Sequence, residues 1–122
     1  MTAPQTTNQR YQYYCRPGYG NTNLLIEFIS IKEGTSFFNI LYDALKSIGC
    51  KVEGTTDLWM NDEMLLSISS QKGNFEISVD AYDFIFIMAD DNQEAITAID
   101  AILQEDARFE KVLVDFSKYK LQ

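Results

Sequence analysis

Apolar and polar residues alternate from Phe75 to Asp80, and this period of two predicts a strand with one buried face and one solvated face. The stretch that follows, Phe84–Met88, is apolar at every position, which is typical of a central strand with both faces covered. One layer of helices covers only one face of a sheet. We therefore expect a second cover for the other face: an N-terminal segment, a second copy of the chain, or a ligand.

The rest of the chain carries two helix patterns and several further strand patterns. Apolar residues recur at helical spacing between Phe37 and Ile48, and again from Asp91 to about Glu105. Asp91 and Glu94 have the spacing of a capping box at the start of the second helix. The other predicted strands are Arg10–Cys15, Leu24–Ile31, Cys50–Met60, Glu63–Ser70 and Val112–Phe116.

This order of elements is close to βαββαβ with an inserted hairpin and one extra strand in front. It predicts an α+β fold of the ferredoxin-like type, a two-layer sandwich with an antiparallel sheet of about five to seven strands and two helices on one face. A chain of 122 residues is long enough for one domain with its own core. We expect residues 10–122 to form that single domain, and the polar residues 1–9 to form a disordered N-terminal tail.

Acidic residues dominate the second half of the chain. The net charge is −8 without any histidine, and residues 53–106 carry 13 acids against one base, Lys72, which gives a local net charge of −12. Such a surface repels nucleic acid and anionic membranes, and it speeds encounter with basic partners. We therefore expect a basic protein partner, no nucleic acid and no membrane. The alternative is that the acidity serves only solubility.

Four of the seven tyrosines lie between Tyr11 and Tyr19, beside Arg10 and Arg16. One interpretation is a stacking surface for a partner or for single-stranded nucleic acid. We favour an extra strand that ends at the turn formed by Pro17 and Gly18, because tyrosine suits half-buried strand positions.

Motifs of catalysis are missing from the sequence. There is no histidine for acid–base work or metal binding, and no phosphate-binding glycine loop or nucleophile elbow. Cys15 and Cys50 are isolated, so reduced thiols in a cytoplasmic protein are the simpler interpretation and one disulfide is the alternative. The first ten residues have no apolar stretch of the kind that a secretory signal needs. We expect a cytoplasmic protein that is not an enzyme and uses no cofactor.

A carboxylate site for Mg²⁺ or Ca²⁺ is a further alternative. It would use four aspartates near predicted strand ends: Asp80, Asp83, Asp90 and Asp91. No loop has the D-x-D-x-D-G spacing of a calcium loop, and helix capping and strand-end turns account for all four residues. We therefore expect no metal site.

The hairpin predicted around Asn61 and Asp62 is the strongest candidate for a contact surface. Trp59 would lie near its tip, and tryptophan is a frequent anchor of protein interfaces. The alternative is that Trp59 covers one end of the core. We predict that the partner-binding residues are Asp57, Trp59, Met60, Asp62 and Glu63.

The stretch EGTSFFNILYDALKSIGCKVEG, Glu33 to Gly54, resembles regulatory domains of the ACT type. In those domains a glycine-containing turn after the first strand leads into a helix, and a glycine precedes the second strand. The resemblance implies a βαββαβ fold that pairs through its sheets and often binds amino acids at the interface.

Two hypotheses on function follow. The leading one is a non-enzymatic, acidic protein-interaction module, and an immunity- or inhibitor-like protein that neutralises a basic toxin or nuclease is one version of it. The alternative is an ACT-like regulatory domain that binds a small ligand and forms a homodimer through its sheet.

Overall fold

The computed structural model describes residues 10–18, 22–29, 31, 34–58, 62–80 and 84–119. The strands in these ranges are β1 (Tyr11–Pro17), β2 (Leu24–Phe28), β3 (Lys51–Leu58), β4 (Glu63–Ser69), β5 (Phe75–Asp80), β6 (Ile85–Met88) and β7 (Phe109–Lys111). The helices are α1 (Gly34–Ala44) and α2 (Gln93–Glu105). The tail predicted for residues 1–9 lies outside the described residues. Neither α1 nor α2 is long and apolar enough to cross a membrane.

The seven strands of the described ranges form one sheet in the order β3-β4-β5-β6-β2-β1-β7. Neighbouring strands are antiparallel, except that β7 runs parallel to β1. β2 and β6 lie in the interior of the sheet, which confirms that their apolar stretches form central strands. The tyrosine-rich segment forms β1, as we favoured, and it has a neighbour on each side.

Both helices pack against the same face of the sheet. Phe28 of β2 contacts Phe37 of α1, with 4.8 Å between the ring centroids. Tyr13, the cross-strand partner of Phe28, donates a hydrogen bond to Oδ1 of Asp100 in α2. Cross-strand partners point to the same side of a sheet, so both contacts are made on one face. The buried residues of this core include Ile26, Leu41, Leu45, Ile77, Ile85, Ile87, Ile96, Ile99 and Leu103.

The alternation along β6 shows how the sequence supports two different faces. Ile85 and Ile87 are 2% and 0% exposed and point into the core. Phe86 and Met88 point to the other face and are only half-buried. The prediction that these residues divide between the faces is confirmed.

Helix α2 begins later than the predicted start at Asp91. Its N-cap is Asn92, and that side chain makes no capping hydrogen bond. Nδ2 of Asn92 donates instead to the carbonyl oxygens of Lys72 and Asn74, at 2.9 and 3.0 Å. The predicted capping box of Asp91 and Glu94 is therefore wrong, because a tertiary contact with the turn between β4 and β5 fixes the helix start.

The last strand also differs from the prediction. β7 precedes the predicted range Val112–Phe116, because Phe109 is the side chain that fills the core at this edge of the sheet. Further along, Oδ1 of Asp115 accepts hydrogen bonds from the backbone N–H and the hydroxyl group of Ser117. This local arrangement starts a 3₁₀ turn where we expected a strand.

The fold is mixed α+β, with a seven-stranded sheet and two helices in the described part of the chain. A ferredoxin-like βαββαβ unit needs fewer strands. Here four consecutive strands, β3 to β6, separate the two helices. The two-layer ferredoxin-like arrangement therefore remains a prediction.

Candidate interaction surface

The face of the sheet opposite the helices, which we call the open face, carries both apolar and acidic side chains. The cross-strand register places the following residues at its centre: Leu25, Glu27, Glu63, Ser78, Asp80, Phe86 and Met88. Strands β2, β4, β5 and β6 all contribute to this set. Three apolar side chains therefore lie beside three carboxylates on one surface.

A pocket of about 360 Å³ opens at the centre of the open face. It is lined by Leu25, Glu63, Ser78, Asp80, Phe86 and Met88. The three apolar lining residues are half-buried, so a group bound from outside would contact them. The volume is at the small end of the range for ligand pockets, about 300–1,000 Å³, and suits a side chain or a small molecule.

Ser78 holds the carboxylate of Glu63 at this pocket. Ser78 is 3% exposed, and its hydroxyl group donates a hydrogen bond to Oε2 of Glu63. Oδ1 of Asp80 accepts a hydrogen bond from the backbone N–H of Phe84 at 3.1 Å. A half-buried carboxylate is screened less than an exposed one, so Glu63 attracts a cation effectively.

Arg16 of β1 brings a positive charge to the open face, but Glu27 neutralises it. Nε of Arg16 lies 2.8 Å from Oε1 of Glu27, and the two side chains are 10% and 15% exposed. The guanidinium group also lies 6.0 Å from the centre of the Phe86 ring. This ion pair is balanced in charge, and the acidic residues that line the pocket are Glu63 and Asp80.

A second pocket, of about 660 Å³, lies where β6 ends and α2 begins. Its acidic lining residues are Glu53, Glu76, Asp90 and Asp91. Met88 lines both pockets, so the acidic surface continues from the open face to this end of the sheet.

Charge is divided unequally between the two halves of the molecule. We call residues 51–92, with strands β3 to β6, the meander half. Its described part holds two bases, Lys51 and Lys72, and eight acids: Glu53, Asp57, Asp62, Glu63, Glu76, Asp80, Asp90 and Asp91. The five ion pairs found between described residues all lie in the other half. The described part of the meander half therefore has a net charge of −6, two bases against eight acids, with acids on both faces of the sheet.

The structure places two of the predicted contact residues on opposite faces of the sheet. Asp57 pairs with Met64, which pairs in turn with Val79 on the helix-bearing face. Glu63 is on the open face. Asp57 and Glu63 therefore do not form one contact site, although both belong to the meander half.

The hairpin that we predicted around Asn61 and Asp62 is present, with Leu58 of β3 paired with Glu63 of β4. Asp62 is exposed and has a φ of 52°, in the left-handed region that aspartate tolerates better than most residues. Trp59 and Met60 lie outside the described residues, so their predicted contact role is untested.

The pocket residues Leu25, Ser78 and Phe86 were not among the predicted contact residues. The apolar character of β6 on both faces was the available signal, because it indicated that Phe86 and Met88 need a cover. Ser78 gives no such signal, since it looks like an ordinary polar residue of an alternating strand.

The aspartates of the metal hypothesis do not converge. Asp80 ends β5, whereas Asp90 and Asp91 follow β6, and these are opposite ends of an antiparallel pair. Asp83 lies outside the described residues. Within the described ranges, no three side chains of the metal-binding types form a group that could hold an ion.

The two thiols are free, and their surroundings make them weak nucleophiles. Burial, with a smaller effect of the Asp100 charge, raises the pKa of the Cys15 thiol to about 11. Burial also raises the pKa of Cys50 above its ordinary value. A reactive thiol needs the opposite shift in pKa.

Comparison of the chain with protein-family models, with curated proteins and with solved structures found no match. No family membership follows, and the functional argument therefore depends on the geometry and charge described above.

Proposed function

We propose that this protein is a non-enzymatic interaction module whose acidic meander half binds a basic protein. The observation that carries the proposal is the separation of charge among the described residues: their five ion pairs lie in one half, and eight acids with two bases lie in the other. A concentrated field of one sign accelerates association with a partner of opposite charge and excludes acidic partners. An immunity- or inhibitor-like role against a basic toxin or nuclease is one version of this function.

The experiment compares two variants with the same net charge. Glu76→Gln with Asp90→Asn removes two charges from the meander half, and Glu105→Gln with Glu110→Gln removes two exposed charges from the other half. Each variant and the wild type is immobilised, and proteins from the native lysate are bound at about 50 mM salt and eluted at about 300 mM salt. Mass spectrometry identifies what each one retains.

A basic protein that binds the wild type and the second variant, but is retained poorly by the first, would support the proposal. Equal retention by both variants would show that only the total charge matters and would contradict it. Failure to retain any basic protein would also contradict it.

A second candidate is the ACT-like regulatory domain, with ferredoxin-like layering and pairing through the open faces of two copies. Half-buried Leu25, Phe86 and Met88 on that face favour it. Pairing would also bring the carboxylates of Glu63 and Asp80 near their copies, which opposes association. Light scattering decides between the interaction module and the ACT-like domain. A wild-type dimer that becomes monomeric in Met88→Lys would support the ACT-like domain, and a wild-type monomer would exclude it.

A further inference from the structure

We propose that the open-face pocket is the docking point of the basic partner, where a partner segment places an apolar side chain against Leu25, Phe86 and Met88 and a lysine or arginine beside Glu63. This inference rests on the proposed function and adds the site and the chemistry of the segment. It places the docking point on the open face, opposite the face that carries the predicted contact residue Asp57.

The pocket has an apolar part that a hydrophobic side chain of the partner can contact. The side chains come from neighbouring strands, since Leu25 of β2 pairs with Met88 of β6. Phe84 continues the patch, with 41% of its surface exposed and its ring stacked on Phe86 at 6.4 Å. An apolar centre with a charged rim is the usual composition of a protein interface.

Glu63 supplies a carboxylate at the same pocket. The Ser78 hydroxyl group donates one hydrogen bond to Oε2 of Glu63, a residue that lines the pocket, and a carboxylate with one such bond keeps acceptor capacity for an N–H donor. Arg16 does not compete for this carboxylate, because its guanidinium is bound to Glu27. A hydrogen bond from a cation to a carboxylate is stronger than one between neutral groups. The site therefore selects a cation next to an apolar group.

The charge of the open face also indicates which occupant to expect. A second copy would present its own Glu63, Asp80 and Glu76 to the same three residues, and like charges across an interface are unfavourable. A basic partner turns the same carboxylates into attractive contacts. Charge complementarity therefore favours a basic segment over self-association.

Three short peptides of equal length provide the test. The first has a leucine between two arginines, the second has glycine in place of the leucine, and the third has glutamates in place of the arginines. Each is titrated into protein with ¹³C-labelled leucine and methionine methyl groups, and binding is followed by NMR. We expect the first peptide to shift the methyl signals of Leu25 and Met88, the second to bind about fivefold more weakly, and the third not to bind.

Two single-charge variants complete the test. Glu63→Gln keeps an acceptor for Ser78 but removes the charge at the pocket, so affinity for the first peptide should fall about tenfold. Asp57→Asn removes one charge from the same hairpin on the opposite face, and affinity should stay within about twofold.

An equal loss of affinity for the first peptide in both variants would overturn the pocket as the docking point. Binding of that peptide without any shift of the Leu25 and Met88 methyl signals would overturn it as well. If a basic protein were still retained in a charge-dependent way by the meander half, the proposed function would stand and only the site would be wrong. Self-association that buries the Met88 methyl group would overturn the site as well.

Discussion

Tyr13 is completely buried, and its hydroxyl group has two acceptors in α2. It donates to Oδ1 of Asp100 at 2.8 Å, and the carbonyl oxygen of the same residue lies 3.3 Å away. Oδ2 of Asp100 binds Nζ of Lys111 at 2.8 Å. Burial, followed by the hydrogen bond to Asp100, raises the pKa of Tyr13 above its ordinary value. One carboxylate thus links β1, α2 and β7.

Asp100→Ala is expected to lower the free energy of unfolding by about 2 kcal/mol, because it removes the acceptor of a buried hydroxyl group and the partner of Lys111. Glu105→Ala, at an exposed position of the same helix, should change it by less than about 0.5 kcal/mol. Chemical denaturation measures both values. Equal values for the two variants would show that the link does not stabilise the fold.

Cys15 makes stability depend on pH in the alkaline range. Its pKa is raised from 9.0 to about 11, so the unfolded chain loses the thiol proton at lower pH than the folded chain. The stability that this thiol contributes is present below about pH 9 and is lost as the pH rises to about 11. The loss should amount to roughly 2–3 kcal/mol.

Cys15→Ala tests this prediction. The variant should have a lower free energy of unfolding at neutral pH, because a buried side chain is shortened. Between about pH 8.5 and about pH 11, however, its free energy of unfolding should fall less steeply than that of the wild type. The test compares the slope of the free energy of unfolding against pH, measured by denaturation at several pH values, between the variant and the wild type. Identical slopes would contradict a role for Cys15.

Among the elements, the turn between β4 and β5 has a clear structural function. Asn92 binds the carbonyl oxygens of Lys72 and Asn74, and it thereby attaches the start of α2 to this turn. Gly73 makes the contact possible. Its φ is +96°, and a Cβ atom there would lie 2.5 Å from Nδ2 of Asn92.

Gly73→Ala should lower the free energy of unfolding by about 2 kcal/mol, because it forces an unfavourable backbone conformation and displaces the Asn92 amide from its two acceptors. Gly54→Ala is the matched control. A Cβ atom at Gly54 has nothing within 4 Å, so this variant should be neutral or slightly stabilising. Thermal or chemical denaturation compares the stabilities of the two variants. An unchanged stability in Gly73→Ala would contradict a stabilising role for the contact between Asn92 and the turn.

Sequence pattern was sufficient for elements that local periodicity defines, such as the strand at Phe75–Asp80. It failed where a tertiary contact decides the boundary. Asn92, and not Asp91, starts α2 because its amide binds a turn about twenty residues away in sequence. The last strand was misplaced because Phe109 is the residue of β7 that is buried in the core, whereas regular pairing with β1 ends at Lys111 and only the backbone N–H of Val112 still donates a hydrogen bond to Tyr13.

At the scale of the whole molecule, the sequence showed the excess of acid but not its distribution in space. Asp100 and Asp106 belong to the acidic stretch, yet Lys111 and Arg108 neutralise them. Asp57 and Glu63 are six positions apart, but the hairpin register turns them to opposite faces. Charge pairing and register depend on three-dimensional contacts, so the open face with its pocket could not be derived from periodicity.

In the proposed function, the meander half binds a basic protein through its carboxylates. The most direct measurement is the affinity of the retained basic protein at several salt concentrations, for the wild type and for the two double variants matched in charge. Exposed charge pairs weaken as salt rises. We expect Glu76→Gln with Asp90→Asn to lower both the affinity at low salt and its salt dependence, whereas Glu105→Gln with Glu110→Gln should leave both close to wild type. Equal affinity and equal salt dependence for all three proteins would contradict the proposed function.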